Sequence, residues 1–327
     1  MKKGFTLVEL LGVIIIFGIL GTFVVLNITK WVSDKSSGID EYTKESIYLA
    51  VNNYLQGYDN FEIEKDSYCV KINDLINEGY LDKTLNESNN YNYVYVEYDG
   101  INSSYKLQNN SCNLVDIIKS KYVSGSENTT LLYKDDTGYY FKGNSTSLNN
   151  WVYFNDMLWQ IINIDNSNNV TLISKDIVDN IILSDSVWSD ATSYEFSNIN
   201  IWLNNKENGV FYKGLKNNIR YKIISTDYNV GIYNDVSSII SNQNVGLLDE
   251  ETYNKAGGSN SFLNISNNFA LGNYYDNSNI RVVGTDGVVT NGAITSSYGI
   301  RPVITISSFA VSDEYIGTSS NPYRNAL

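Results

Sequence analysis

MKKGFTLVELLGVIIIFGILGTFVVL, residues 1–26, decides how the rest of the chain is read. Two lysines and a glycine precede an apolar run from Phe5 to Leu26. A helix that crosses a bilayer needs roughly 20 predominantly apolar residues, and this run supplies them. Glu9 interrupts the run and has no partner nearby in sequence. An acidic group at mid-bilayer costs on the order of 2.5–3.5 kcal/mol on insertion scales, so a lone glutamate there points to a function. A secretory signal peptide fits less well. The apolar run is too long, and Leu20-Gly21-Thr22 offers no cleavage site of small residues.

Lys3-Gly4-Phe5-Thr6-Leu7-Val8-Glu9 resembles the cleavage and methylation signal of type IV prepilins and pseudopilins. The resemblance implies that a prepilin peptidase cuts after Gly4 and that Phe5 becomes the methylated N-terminus. It implies that Glu9, fifth in the mature chain, serves assembly with other pilin subunits, in a homo- or heteropolymer. Elementary electrostatics supports that use. A cut after Gly4 creates an amine on Phe5, about one helical turn from Glu9 of the same chain or a neighbour's. Pairing an ammonium with a buried carboxylate offsets part of the desolvation of both.

Composition narrows the remaining possibilities. The fraction of hydrophobic residues, 43%, and the 27 tyrosines argue for packed structure rather than disorder. Residues 1–30 hold three lysines and one glutamate, a net +2, so the remainder carries −15 of a total of −13. An acidic exterior disfavours nucleic acid as a direct partner. No histidine is present, which excludes His triads, His metal sites and His general bases. Two cysteines, Cys69 and Cys112, are too few for Cys-rich metal sites. No metal site, cofactor or catalytic residue is expected. Lysines before the apolar run place the N-terminus inside and the rest outside, where a disulfide persists. Compartment and even count favour a Cys69–Cys112 bond, closing a loop of about 44 residues.

Downstream, Ile47, Ala50, Val51 and Tyr54 recur at helical steps, and Gly57 offers a stop. One helix over 5–57 would be about 78 Å long, with a transmembrane part at 5–26 and a bend expected at Ser36-Ser37-Gly38. Its amphipathic second half must pack on a later part of the chain. Tyr68–Ile72 reads as a strand, and Asn73–Leu81 as a short helix ending near Gly79. Tyr91–Tyr98 and Ser104–Leu107 flank Asp99-Gly100, a strong hairpin signal. That order is similar to type IV pilin globular domains. The expected domains are a leader at 1–4, the helix at 5–57, a small pilin-like α+β domain at 58–118, a linker at 119–130 and a β-rich surface module at 131–327.

In that module, Leu131–Lys134 pairs with Tyr139–Phe141, and Trp159–Ile164 with Val170–Ile173. Ile199–Phe211 reads as an amphipathic helix, Arg281–Val283 pairs with Val288-Val289, and Ile300–Ile306 is the last strand. Trp159-Gln160-Ile161-Ile162, Trp202-Leu203-Asn204 and Gly299-Ile300-Arg301-Pro302-Val303 resemble a domain of Gram-positive surface proteins related to C-type-lectin-like and sulfatase-modifying-factor folds. Asp165–Asn169 with Asp176 touches an EF-hand pattern but lacks its glycine and final glutamate, so it reads as a polar turn. Trp151, Trp159, Trp188 and Trp202 read as core rather than as sugar-stacking platforms.

The fold class is therefore α+β: a long N-terminal helix on a small antiparallel sheet, followed by a β-rich, C-type-lectin-like domain. The resemblance implies a minor pilin or pseudopilin, single-pass in the membrane and then on the cell surface or pilus. The alternative is a membrane-anchored adhesin whose second module takes a glycan or protein ligand. An enzyme is not expected. Mass spectrometry of protein from a host with the peptidase should find methylated Phe5 at the N-terminus. Gly4→Val should leave the leader attached, and assembled protein that still begins at Met1 would refute the processing scheme.

Overall fold

The computed structural model describes residues 41–58, 66–87, 91–122, 131–144, 147–185, 194–205, 211–216, 220, 222–232 and 238–325. The apolar run Phe5–Leu26 and the stretch Ser36–Gly38 lie outside the described residues. Among the described residues, no helix is long and apolar enough to cross a membrane. The chain is α+β, with strands outnumbering helices among the described residues, and divides into two compact units: residues 1–59 with 71–92, and 60–70 with 93–327.

The first unit is built on α1 (Glu41–Leu55), which buries Thr43, Ile47, Ala50, Val51 and Leu55. These lie at three- and four-residue steps on one face. The helix unwinds where the Gly57 N–H donates to Tyr54 O (3.2 Å) and that of Tyr58 to Leu55 O (2.9 Å). The short helix α2 (Ile72–Asn77) packs on α1 and buries Ile72 and Leu75. Gly79 follows in the left-handed region, φ 80°. That turn lets the N–H groups of Tyr80 and Leu81 reach back to Leu75 O, at 2.8 and 3.1 Å. The Tyr54 ring packs between Tyr58 and Tyr80, with centroids 5.7 and 5.6 Å away.

The hairpin of β2 (Tyr93–Tyr98) and β3 (Ser103–Gln108) runs in register from Tyr93 opposite Gln108 to Tyr98 opposite Ser103. Asp99 closes it, its carboxylate accepting from the N–H groups of Ile101 and Asn102 at 2.8 Å. β1 (Asp66–Lys71) completes this sheet in the order β1-β2-β3. Cys69 of β1 is joined to Cys112 in a disulfide with Cα atoms 5.4 Å apart. The next helix, α4 (Leu114–Lys119), is capped by Asn113, whose Oδ1 accepts from the Val115 N–H; α3 (Lys83–Glu87) precedes it in the chain. Leu114, Val115 and Ile118 of α4 enter the core that the later strands share.

That core lies among two larger sheets. The first has seven strands. Its main path runs β16 (Val303–Ile306), β8 (Val170–Ser174), β7 (Met157–Asp165), β5 (Gly138–Phe141), β4 (Leu132–Asp135). β6 (Trp151–Phe154) pairs with β7 and, in parallel, with β17 (Tyr323–Arg324). The second has five strands, in the order β14 (Val289–Ala293), β13 (Asn279–Val283), β12 (Phe269–Asp276), β15 (Ser297–Ile300), β9 (Asp179–Ile182). β10 (Thr226–Asn229) and β11 (Ile239–Gln243) form a separate ribbon. β7 buries the run Trp159–Ile162 and β12 the run Phe269–Tyr274, as strands covered on both faces do. Gly138 has φ 148°, and a Cβ there would lie 2.1 Å from Ile164 O, so the β5 to β7 approach needs glycine.

One expectation is corrected here. Ile300–Ile306 is not a single strand. Ser297–Ile300 pairs with β9 and β12, whereas Val303–Ile306 pairs with β8 in the other sheet. Pro302 has no N–H to continue a ladder, and the chain changes sheets there. Removing the disulfide with Cys69→Ser/Cys112→Ser should lower unfolding stability by about 4 kcal/mol in the loop-entropy account. Urea unfolding of the oxidised wild type and the variant measures it; equal midpoints would show that the bond constrains nothing.

Candidate functional site

An open cleft of about 480 Å³ lies between β9 and the helix α5 (Asn198–Asn204). Its lining is Asn180, Ile181, Ile182, Asn198, Ile201 and Trp202. β9 ends the five-stranded sheet, with one side paired to β15 from Ile182 opposite Ser297 to Asp179 opposite Ile300. α5 starts at Ser197, whose Oγ accepts from the Asn200 N–H and donates to Tyr194 O. The Ile199 N–H donates to Leu183 O at 3.0 Å, which ties the helix start to the residue after β9.

Spacing sorts the helix faces. Ile199 and Leu203 are buried in the core. Asn198, Ile201 and Trp202, at steps of three and four, share the side that lines the cleft. The helix end is held by Asn204, whose amide donates to Val245 O (2.7 Å) and accepts from the Val245 N–H (2.9 Å). Behind the cleft runs a chain of rings. Trp202 lies 5.7 Å from Phe211 at 30°, and Phe211 lies 6.4 Å from Trp159. Phe211 sits in the short helix α6 (Phe211–Gly214). Among the described residues, the side-chain amides of Asn180 and Asn198 and the Trp202 indole N–H have no hydrogen-bond partner. Among the described residues, no ionisable side chain lines the cleft, so the chemistry they offer is neutral donors, neutral acceptors and apolar surface.

The tryptophans divide. Trp159 is fully buried, its Nε1 donating to Phe154 O at 2.9 Å, as a core residue. Trp151 and Trp202 are half-buried, and Trp188 lies outside the described residues. Trp202 both packs on the core and lines the cleft. The helical spacing of Asn198, Ile201 and Trp202 was a usable signal. The four residues of β9 carried none, because a strand so short has no period to detect.

Other sequence candidates resolve differently. Gly4, Phe5 and Glu9 lie outside the described residues. Cys69 and Cys112 are joined to each other. Asp165 is occupied by its own turn, its carboxylate accepting from the N–H groups of Ser167 and Asn169 and from the Asn169 amide, each at 2.8 Å. Among the described residues, the most enclosed ion pair joins Arg281 to Glu250, which opens α7 (Glu250–Lys255). The guanidinium meets both carboxylate oxygens, at 2.6 and 2.8 Å, and this contact pushes the Arg281 pKa further up. Such a pair fixes geometry in a fold rather than marking chemistry.

Residues 1–25 match the sequence family described as the prokaryotic N-terminal methylation motif. The chain therefore carries a type IV prepilin-type signal, the kind that is processed by prepilin peptidase. No curated protein and no solved structure matches the chain. Trp159→Ala should lower stability by about 3–5 kcal/mol, as deleting a buried aromatic does. Asn180→Ala, at an exposed position, should change it by less than about 0.5 kcal/mol. Parallel urea titrations check both, and a large loss for Asn180→Ala would mean that its amide has a structural task.

Proposed function

We propose that the protein is a type IV pilin-like structural subunit, a minor pilin or pseudopilin. It is inserted with its N-terminus inside, cut after Gly4, and assembled through its apolar N-terminal helix with other pilin subunits. The observation that carries this reading is the methylation motif at residues 1–25, with an acidic residue, Glu9, inside its apolar run. The β-rich part is then the portion displayed on the filament or cell surface, and no enzymatic role is assigned to it. Its size favours a minor subunit, because a globular part of this bulk on every protomer would crowd a helical array. The amides of the cleft, unpartnered among the described residues, favour a second use, as a binding surface, and that use is compatible with the first.

Glu9 separates a filament subunit from a plain anchor. In an anchor, Glu9→Ala removes an unpartnered intramembrane carboxylate and leaves membrane retention equal or improved. In a subunit, it removes the partner of a neighbouring Phe5 amine, and breaking such a buried pair costs about 3–5 kcal/mol. Leader cleavage should persist in the variant, because Glu9 lies beyond the scissile bond, while its incorporation into filaments should fall sharply. Sheared-filament fractions from cells expressing wild type or Glu9→Ala at equal levels measure this. Equal incorporation would remove the case for a filament subunit and leave the anchored form.

A further inference from the structure

We infer that the cleft between β9 and α5 binds a neutral saccharide. The inference is independent of the filament reading, since it rests only on residues of the cleft.

The lining selects against ions. It holds two asparagines, a tryptophan and three isoleucines, in a chain with a net charge of −13. A site for an anion or a cation needs a counter-charge or a set of converging dipoles, and the lining side chains provide neither. A neutral ligand loses less on desolvation here.

The polar groups match a polyol. Each asparagine amide offers two donors and an acceptor oxygen. Those of Asn180 and Asn198 are unengaged among the described residues, and they lie on opposite walls, one on the strand and one at the helix start. Neighbouring sugar hydroxyls both donate and accept, so each can satisfy both halves of an amide. A ligand that only accepts, or only donates, leaves one half of each unmet.

The aromatic wall matches the other property of a pyranose, its face of C–H groups. The negative face of an indole attracts the positive edge of such C–H bonds. Trp202 is held from behind by Phe211, so ordering it costs little on binding. Ile181, Ile182 and Ile201 extend the apolar floor beside it. The volume lies within the ordinary range of ligand pockets, about 300–1,000 Å³. An open cleft suits a short oligosaccharide or the end of a longer one.

An extended peptide added to the free side of β9 is the competing occupant. It is the weaker fit. β9 has four residues, and the next carbonyl, that of Leu183, already accepts from the Ile199 N–H. A strand added there would also leave the two amides without a matching partner set.

Full-length protein in detergent micelles, applied to an array of neutral, sulfated and sialylated oligosaccharides, tests the inference. Retention of neutral oligosaccharides is expected, with no gain from acidic substituents. For the best-retained one, calorimetry should show Asn180→Ala and Trp202→Ala each weakening binding by at least about tenfold. Because Trp202 also packs on the core, Asn180→Ala decides the matter if the tryptophan variant fails to fold. Absence of binding to every neutral glycan would overturn the inference, and so would binding that survives Asn180→Ala. So would capture of a short Val/Thr-rich peptide, in place of any glycan, that is abolished by Ile181→Pro.

Discussion

The joint between the two large sheets is organised around a buried cation, Arg301. Arg301 is fully enclosed, with Nε donating to Ser174 O at 2.9 Å and Nη1 to Leu263 O, and its guanidinium lies 5.1 Å from the Phe269 ring centre. Burial lowers its pKa to about 10. Its contacts are carbonyls and a ring face, so its charge is held by dipoles rather than by a touching counter-ion. Such an arrangement is a poor source of stability. What it does is geometric. Ser174 ends β8, Leu263 precedes β12, and Arg301 stands between β15 and β16, so one side chain ties together the places where both large sheets meet.

The chain around Arg301 shows why that joint matters. Gly299 pairs with Phe269 and Asn180 in the five-stranded sheet, and a Cβ on it would lie 2.7 Å from Asn268 O. Three residues later Pro302 O accepts from the Ser174 N–H at 3.1 Å, and Val303 enters the seven-stranded sheet opposite Ile173. Farther on, Phe309 O accepts from the Leu114 N–H, and Val311 donates to Cys112 O at 2.7 Å. Residues 297–311 thus pass from β9 and β12, through β8, to the backbone beside the disulfide. Glycine permits the close approach, proline breaks the ladder, and arginine pins the turn between them. Placement of β9, and with it one wall of the cleft, depends on the first of these steps.

Much of this was legible in the sequence where the signal is local. The hairpin at Asp99-Gly100, the turn after Trp159–Ile164 and the buried face Ile47, Ala50, Val51 are each written in adjacent residues. Asp165–Asn169 was readable as a turn for the same reason, since its carboxylate answers to N–H groups two and four positions away. What was not legible is non-local. Ile300–Ile306 reads as one strand because proline is tolerated at a strand's start, and nothing local says that Ile300 and Val303–Ile306 belong to different sheets. Asp179–Ile182 is too short to show alternation, and β17 has two residues. Trp202 was read as core, which is half of its situation. Its other half depends on β9 being opposite, and only the topology brings β9 there.

The N-terminal run and the cleft treat charge in opposite ways. In the first 26 residues a carboxylate stands inside an apolar run, where its desolvation has to be offset by a partner. A group of that kind is useful only if the partner comes from outside the segment, which turns an isolated cost into a condition for association. In the cleft, charge is left out of a chain whose exterior is strongly acidic. The amides there bear no such penalty when empty, because water satisfies them in an open cleft. Ligand exchange then trades one set of hydrogen bonds for another, and net affinity comes from the apolar contact with Trp202 and the isoleucines. On the proposed reading, assembly through Glu9 makes a charge pair a condition of association, whereas the cleft is built for contacts that form and release.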